Sequence, residues 1–296
     1  MTQRGRLVLA LVLVACVAAV EFYGGVRANS LALLTDGVHV CMDVFAIALA
    51  LFAFAGAQRP ATARKTYGYG RIEVLAATIN GSILLAVTGF IAYEALQRFT
   101  IAYHPQGGLM SAFAAFGLIV NLAVALLLVR HSHENLNLQA ALFHVAGDAL
   151  GAIAVIAGGA IIAAGGKSWI DPALSLFVAA IIVAGVFRVL RDAVDVLLEG
   201  VPRGLHVDDV RDAMTGLAGI VAVHDLHVWS IGSGALALSA HVLVDDRRVS
   251  EATAVLRAVD ALVRERFGVT HVTLQFECET CGQDERVVCT QISSKP

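Results

Sequence analysis

The sequence predicts an α-helical integral membrane protein: six transmembrane helices followed by a small C-terminal α+β domain. Three observations carry this reading. Six apolar runs are long enough to span a bilayer, basic residues gather in alternate loops, and near residue 199 the chain turns into ordinary charged sequence. Of 296 residues, 58% are apolar and 15% charged, whereas a soluble domain is nearer half apolar and about a quarter charged. Residues 1–198 hold 12 Lys/Arg and 10 Asp/Glu and residues 199–296 hold 9 and 14, so the charge deficit lies in the first part. With a net charge of -3 and no long basic block, nothing points to a nucleic-acid partner.

A bilayer core of about 30 Å needs about 20 apolar residues per helix. The runs at about 6–26, 30–56, 74–96, 109–130, 138–164 and 172–198 meet that length. Six such helices could not all be buried in one small soluble domain, so lipid is the solvent. The first run follows Arg4 and Arg6, and Leu13-Val14-Ala15-Cys16 resembles a lipoprotein cleavage site. Because the run continues to about Tyr23 and more spans follow, it is read as an uncleaved helix. Asp171-Pro172 reads as the start of the sixth helix, an N-cap acceptor followed by proline in the first turn. Cys16 and Cys41 lie in apolar runs and read as small buried hydrophobes.

Arg4 and Arg6, then Arg59, Arg64, Lys65 and Arg71, then Arg130 fall on one side of the membrane. The opposite loops hold only Arg27, Arg98 and Lys167. Positive charge stays inside, so both termini are expected in the cytoplasm and the protein in the plasma (inner) membrane. The domains are drawn at 1–200 (membrane) and 201–281 (cytoplasmic), with a tail at 282–296. In the second, 207–217 and 249–267 read as amphipathic helices and 224–231, 235–244 and 269–277 as strands. Gly232-Ser233-Gly234 marks a hairpin turn, and the α-β-β-α-β order suggests helices packed on a sheet.

Ionisable side chains inside a membrane are costly and mark function. In the second span Asp36, His39 and Asp43 fall at i, i+3 and i+7, on one helix face; in the fifth, His144 and Asp148 are i, i+4. Two facing His-x-x-x-Asp pairs supply two imidazoles and two carboxylates, the ligand count of a tetrahedral zinc site. The charges of Zn²⁺ and two carboxylates cancel. Gly37 in one helix, and Gly147 and Gly151 around Asp148 in the other, would let the helices approach. Asp36 is open to a structural role or a functional one. Without metal the paired carboxylates attract protons, and histidine must lose its proton to bind metal. Metal and protons therefore compete for one site, which predicts metal/proton exchange.

These residues resemble the cation diffusion facilitator family, in its zinc-transporting branch, over about residues 5–281. The motifs are Ser30-Leu-Ala-Leu-Leu-Thr-Asp36-Gly-Val-His39 through Asp43, Tyr67-Gly-Tyr-Gly-Arg71-Ile-Glu73, and Asn137 through His144 and Asp148. His224-Asp-Leu-His227-Val-Trp229 and His271-Val-Thr-Leu-Gln275-Phe-Glu277 are similar to its cytoplasmic signatures. The resemblance implies a homodimer of six-span subunits with a metallochaperone-like cytoplasmic domain. It implies a transport site of His39, Asp43, His144 and Asp148 that takes Zn²⁺ and often Cd²⁺ or Co²⁺, as substrate rather than prosthetic group. It also implies a regulatory site using His224, His241 and Glu277, with Cys278-x-x-Cys281 as a further ligand pair; some relatives carry histidine at Leu274. His227 is read as internally bonded, Cys289 as a lesser thiol, and His104 and His206 as solvated. The short His131-Ser-His133 segment is too small to hold several ions.

Two other readings keep the metal. An intramembrane hydrolase would need a glutamate base and an open metal position, as in His-Glu-x-x-His, and that motif does not occur. A membrane-anchored sensor would leave both His-x-x-x-Asp pairs unexplained, so the chain is not expected to be an enzyme or a sensor alone.

Overall fold

Six long helices come first in the chain: α1 (Gln3–Ala28), α2 (Leu31–Ala57), α3 (Arg71–Arg98), α4 (Gly107–Val129), α5 (Leu136–Ala163) and α6 (Ile170–Leu197). A computed structural model describes residues 3–129, 136–232 and 234–278; the side chains of residues 3–10, 125, 127–129 and 136–146 lie outside that description. Stretches within α1, α2, α3, α4 and α6 are long and apolar enough to cross a membrane, and α5 adds the shorter apolar stretch Gly147–Ala163 among its described residues. The chain divides into two compact units, Met1–Leu51 with Ile79–Leu190, and Phe52–Thr78 with Arg191–Pro296. This division differs from a cut near residue 200: the loop after α2 and the neighbouring helix ends group with the C-terminal residues.

The first unit exposes large apolar side chains on its surface and buries several polar ones among its apolar contacts. Phe90, Ile119, Leu150 and Phe187 are each about two-thirds exposed, while Glu21, Ser30, Thr35, Asp36, Asn121, Asp171 and Ser175 are buried. A water-facing surface would not carry so large an apolar area, whereas hydrocarbon accepts it. Cys16 and Cys41, expected as buried, are exposed on their helices; a thiol on a lipid-facing surface needs no partner. Ala28, Ala32 and Leu33 pack on Met110, Ala114 and Val155, which joins α1, α2, α4 and α5.

Asp171 does not serve as the N-cap of its own helix. Helix α6 already begins at Ile170, and the fully buried Asp171 carboxylate caps α2 instead. Oδ1 accepts from Ser30 Oγ at 2.5 Å and Ala32 N at 3.2 Å, and Oδ2 from Leu31 N at 2.7 Å. The first N–H groups of any helix lack intrahelical acceptors and carry a partial positive charge, so a carboxylate from a neighbouring helix satisfies both needs. Below it, Thr35 Oγ1 and Ser175 Oγ share a hydrogen bond of 2.7 Å. Burial and the Asp171 charge push the Tyr103 phenol, in the α3–α4 loop, well above its ordinary range, so it stays a donor to Ser168 O at 2.8 Å.

The C-terminal elements are α7 (Val207–Thr215), β1 (Ala222–Gly232), β2 (Ala235–Leu243), α8 (Val249–Phe267) and β3 (Val269–Glu277). The expected α-β-β-α-β order holds. β2 is central, antiparallel to β1 and parallel to β3. Val255, Val259 and Val263, spaced one turn apart on α8, pack with Val210 and Met214 of α7 against Leu226, Val228, Leu238 and Val242. Glu251 accepts from Arg248 N to close the start of α8, and Gly268 (φ 70°) ends it in the left-handed conformation that glycine adopts without strain.

Candidate functional site

His39 and Asp43 are one turn apart on α2, so helical geometry sets both on one face. Asp148 comes from α5. The residues sit near the middles of helices of 27 and 28 residues, far from either helix end. His39 Nε2 stands 3.8 Å from Asp43 Oδ2 and 3.8 Å from Asp148 Oδ1. Those separations exceed a hydrogen bond. They lie within a few tenths of an ångström of the roughly 3.4 Å between donor atoms in a tetrahedral zinc shell with about 2.1 Å bonds. All three side chains are partly accessible, as an ion's entry requires. The fourth expected residue, His144, is one turn before Asp148 on α5; its side chain lies outside the described residues.

Gly37 works differently from expectation. A β-carbon at Gly37 would sit 2.7 Å from Phe22 N and 3.0 Å from Glu21 C, so Gly37 admits α1 rather than α5. Gly147 meets nothing within 4 Å among the described residues, while Gly151 lies opposite Asp36, whose Oδ1 would be 3.8 Å from a β-carbon there. Asp36 is thereby directed at α5, one turn from His39.

A second cluster occupies the C-terminal sheet. His224 of β1, His241 of β2 and Glu277 of β3 offer ligand atoms that all lie within 4.8 Å of one another. Glu277 Oε1 is 2.8 Å from His241 Nδ1, and Oε2 is 3.3 Å from His224 Nε2. Gln275 Nε2 donates to Glu277 Oε1 at 3.0 Å. The donor set, two imidazoles and a carboxylate largely removed from water, fits a borderline-soft divalent ion such as zinc.

Register explains this convergence. Val228 pairs with Leu238 and His227 with Ser239, but His224 pairs with His241, because β1 carries a bulge between His224 and His227. Asp225, within it, has φ 48°, and its carboxylate meets His227 Nε2 at 3.0 Å and His241 Nε2 at 3.7 Å. His227 therefore bonds internally, as expected, through Asp225. Cys278 follows β3 directly as an exposed free thiol, while Cys281 and Cys289 lie outside the described residues, as do His131 and His133. His104 and His206 are exposed.

Glu21 is not among the residues that the His-x-x-x-Asp pattern singles out. It is buried within α1, 1% exposed, and neither carboxylate oxygen has a hydrogen-bond partner among the described residues. The signal was available: an acidic residue inside an apolar run of spanning length.

The family model described as the cation efflux transmembrane domain matches residues 7–198, and that of the cation efflux protein cytoplasmic domain matches residues 202–279. The chain belongs to the cation diffusion facilitator family. It is 38% identical to the cadmium, cobalt and zinc/H(+)-K(+) antiporter of Bacillus subtilis, over 91% of this chain and 88% of the relative. It is 36% identical to the metal cation efflux system protein CzcD of Cupriavidus metallidurans, over 93% and 87%. To the zinc transporter ZitB of Escherichia coli it is 35% identical, over 88% and 83%. The curated relatives are transporters rather than enzymes, and this family member is a multi-pass membrane protein whose sheet domain corresponds to the family's cytoplasmic domain.

Proposed function

We propose that this protein exports divalent metal ions, zinc foremost and cadmium or cobalt with it, in exchange for protons. The observation that carries the reading is His39 standing between the carboxylates of Asp43 and Asp148 at equal distances in the middle of a helical membrane domain. His144 completes the shell as the fourth ligand. Emptied of metal, this shell draws protons; filled, it expels them. Access from one side and then the other converts that competition into exchange. The name of the Bacillus subtilis relative, a cadmium, cobalt and zinc/H(+)-K(+) antiporter, agrees with this cargo and with exchange for protons. The protein works as a homodimer with both termini in the cytoplasm, and His224, His241 and Glu277 form a regulatory site that takes the same metal from the cytoplasm. No prosthetic group takes part.

The test is zinc uptake into proteoliposomes under an imposed pH gradient, wild type beside Asp148→Ala. Zinc should move against the proton flow in the wild type alone. Wild-type flux from Asp148→Ala would overturn the site assignment. If the wild type moves no zinc, cadmium or cobalt under the gradient, the exporter reading fails and a membrane-anchored sensor takes its place.

A further inference from the structure

Helix α6 supplies none of the proposed metal ligands, yet it is bonded to α2 at two successive turns. Asp171 accepts from Ser30 Oγ, Leu31 N and Ala32 N at the start of α2. One turn further along both helices, Ser175 Oγ and Thr35 Oγ1 lie 2.7 Å apart. Thr35 Oγ1 also donates to Leu31 O at 2.7 Å. A hydroxyl has one proton to give, so Ser175 is the donor of the pair and Thr35 the acceptor. All four side chains are buried, and a hydrogen bond lost there has no replacement from water. Beside Thr35 on α2, Asp36 turns to a different neighbour: its Oδ1 would be 3.8 Å from a β-carbon at Gly151 of α5.

Helical geometry relates these two directions to the site. At about 100° per residue, with Thr35 as origin, His39 lies about 40°, Asp43 about 80° and Asp36 about 100° round the helix. Thr35 faces α6 and Asp36 faces α5, so both proposed ligands of α2 fall in the arc between them. The tolerance is small. A turn of α2 by about 20° moves an atom about 6 Å from its axis by about 2 Å, whereas a functional site needs its groups held within about 0.5 Å. We propose that the paired hydroxyls of Thr35 and Ser175, with the Asp171 cap one turn away, fix the rotation of α2 and so present His39 and Asp43 to Asp148. Thr35 and Ser175 are positioning residues: they belong to no ligand shell and act through the helix that carries His39. The proposal rests on the transport-site reading above. It adds α6, which holds no ligand, to the parts of the protein that set metal affinity and metal preference.

The experiment is calorimetric titration of the full-length protein in nanodiscs with zinc and with cadmium, thermal midpoints being measured on the same samples. His224→Ala with His241→Ala silences the cytoplasmic cluster in every sample. Thr35→Val keeps the shape of the side chain and loses the hydroxyl; it is expected to bind zinc about tenfold more weakly and to change the ratio of cadmium to zinc affinity. Ser175→Ala removes the same bond from the α6 side and should do likewise. Thr35→Ser keeps the hydroxyl and should return zinc affinity to that of the parent. Parent affinity and parent metal ratio in Thr35→Val and Ser175→Ala, with zinc binding lost in Asp43→Ala, overturn the proposal alone, even where thermal midpoints fall. Binding as weak in Thr35→Ser as in Thr35→Val traces the effect to packing rather than to the hydrogen bond and overturns it too. Zinc bound as tightly by Asp43→Ala as by the parent overturns the site reading and the proposal together. Should Thr35→Val not fold, Ser175→Ala decides by the same two readouts.

Discussion

His39 on α2 and Asp148 on α5 face each other at 3.8 Å from Nε2 to Oδ1, although two complete helices intervene between them in the chain. Asp43 lies equally far from the same nitrogen. One imidazole between two carboxylates makes His39 the residue whose chemistry should decide which metals the site accepts.

Replacing that imidazole tests the point. His39→Asp exchanges a borderline ligand for a hard, anionic one, which favours harder ions. Competition of manganese against zinc uptake in proteoliposomes should improve by about tenfold, equivalent to roughly 1.4 kcal/mol of relative affinity. An unchanged metal profile would mean that selectivity lies elsewhere.

The sheet cluster should set a threshold rather than perform transport. Glu277→Gln removes the carboxylate that both His224 and His241 approach, and zinc affinity of the cluster should fall at least about tenfold. Plotted against cytoplasmic zinc, flux should then rise at higher concentration and reach a similar plateau. Cys278→Ser with Cys281→Ser should also shift only the threshold. A dead transporter in either case would place these residues in the transport path.

Asp171 holds α2 at its first turn, and its variants should rank by the acceptors they keep. Asp171→Ala strips Ser30, Leu31 and Ala32 of their buried acceptor and should cost at least about 2 kcal/mol of stability. Asp171→Asn retains one acceptor oxygen and should fall between it and the wild type. Thermal unfolding in detergent gives the order; a wild-type midpoint for Asp171→Ala would show that the cap contributes nothing.

Gly117 and Glu21 should be coupled by contact. Gly117→Ala places a methyl group where Glu21 Oε1 stands, an overpacking cost of about 1–3 kcal/mol. In a Glu21→Asp background the shorter side chain withdraws, and the same substitution should cost less. A double-mutant cycle of unfolding free energies measures the difference, and strict additivity would refute the contact.

Much of this was legible in the sequence because each inference was local. The observed helices begin and end within about three residues of the apolar runs, since lipid imposes a minimum length on any span. Periodicity set His39 and Asp43 on one face without reference to any other helix. Glu21 was equally visible as a charge in a span, but its enclosure depends on Gly117, far along the chain, and pattern alone does not pair those positions. Asp171 misled for a related reason. An N-cap sequence describes what a residue can do for its own helix, while burial beside the first turn of α2 gave the carboxylate stronger donors elsewhere.

The sequence by itself determined how many spans the chain has, where they begin and end, and which helix faces carry ligand-type side chains. Hydrocarbon length and the 3.6-residue turn leave little freedom in either. Only the tertiary structure decided which helix closes on Gly37: α1 rather than α5 fills the space there. In the sheet the decision came down to one residue. Continued from Val228 and Leu238 without a bulge, the β1–β2 register would set His224 opposite Val242; the bulge at Asp225 sets it opposite His241. Because successive side chains on a strand point to opposite faces, that single shift determines whether two imidazoles and Glu277 share one site.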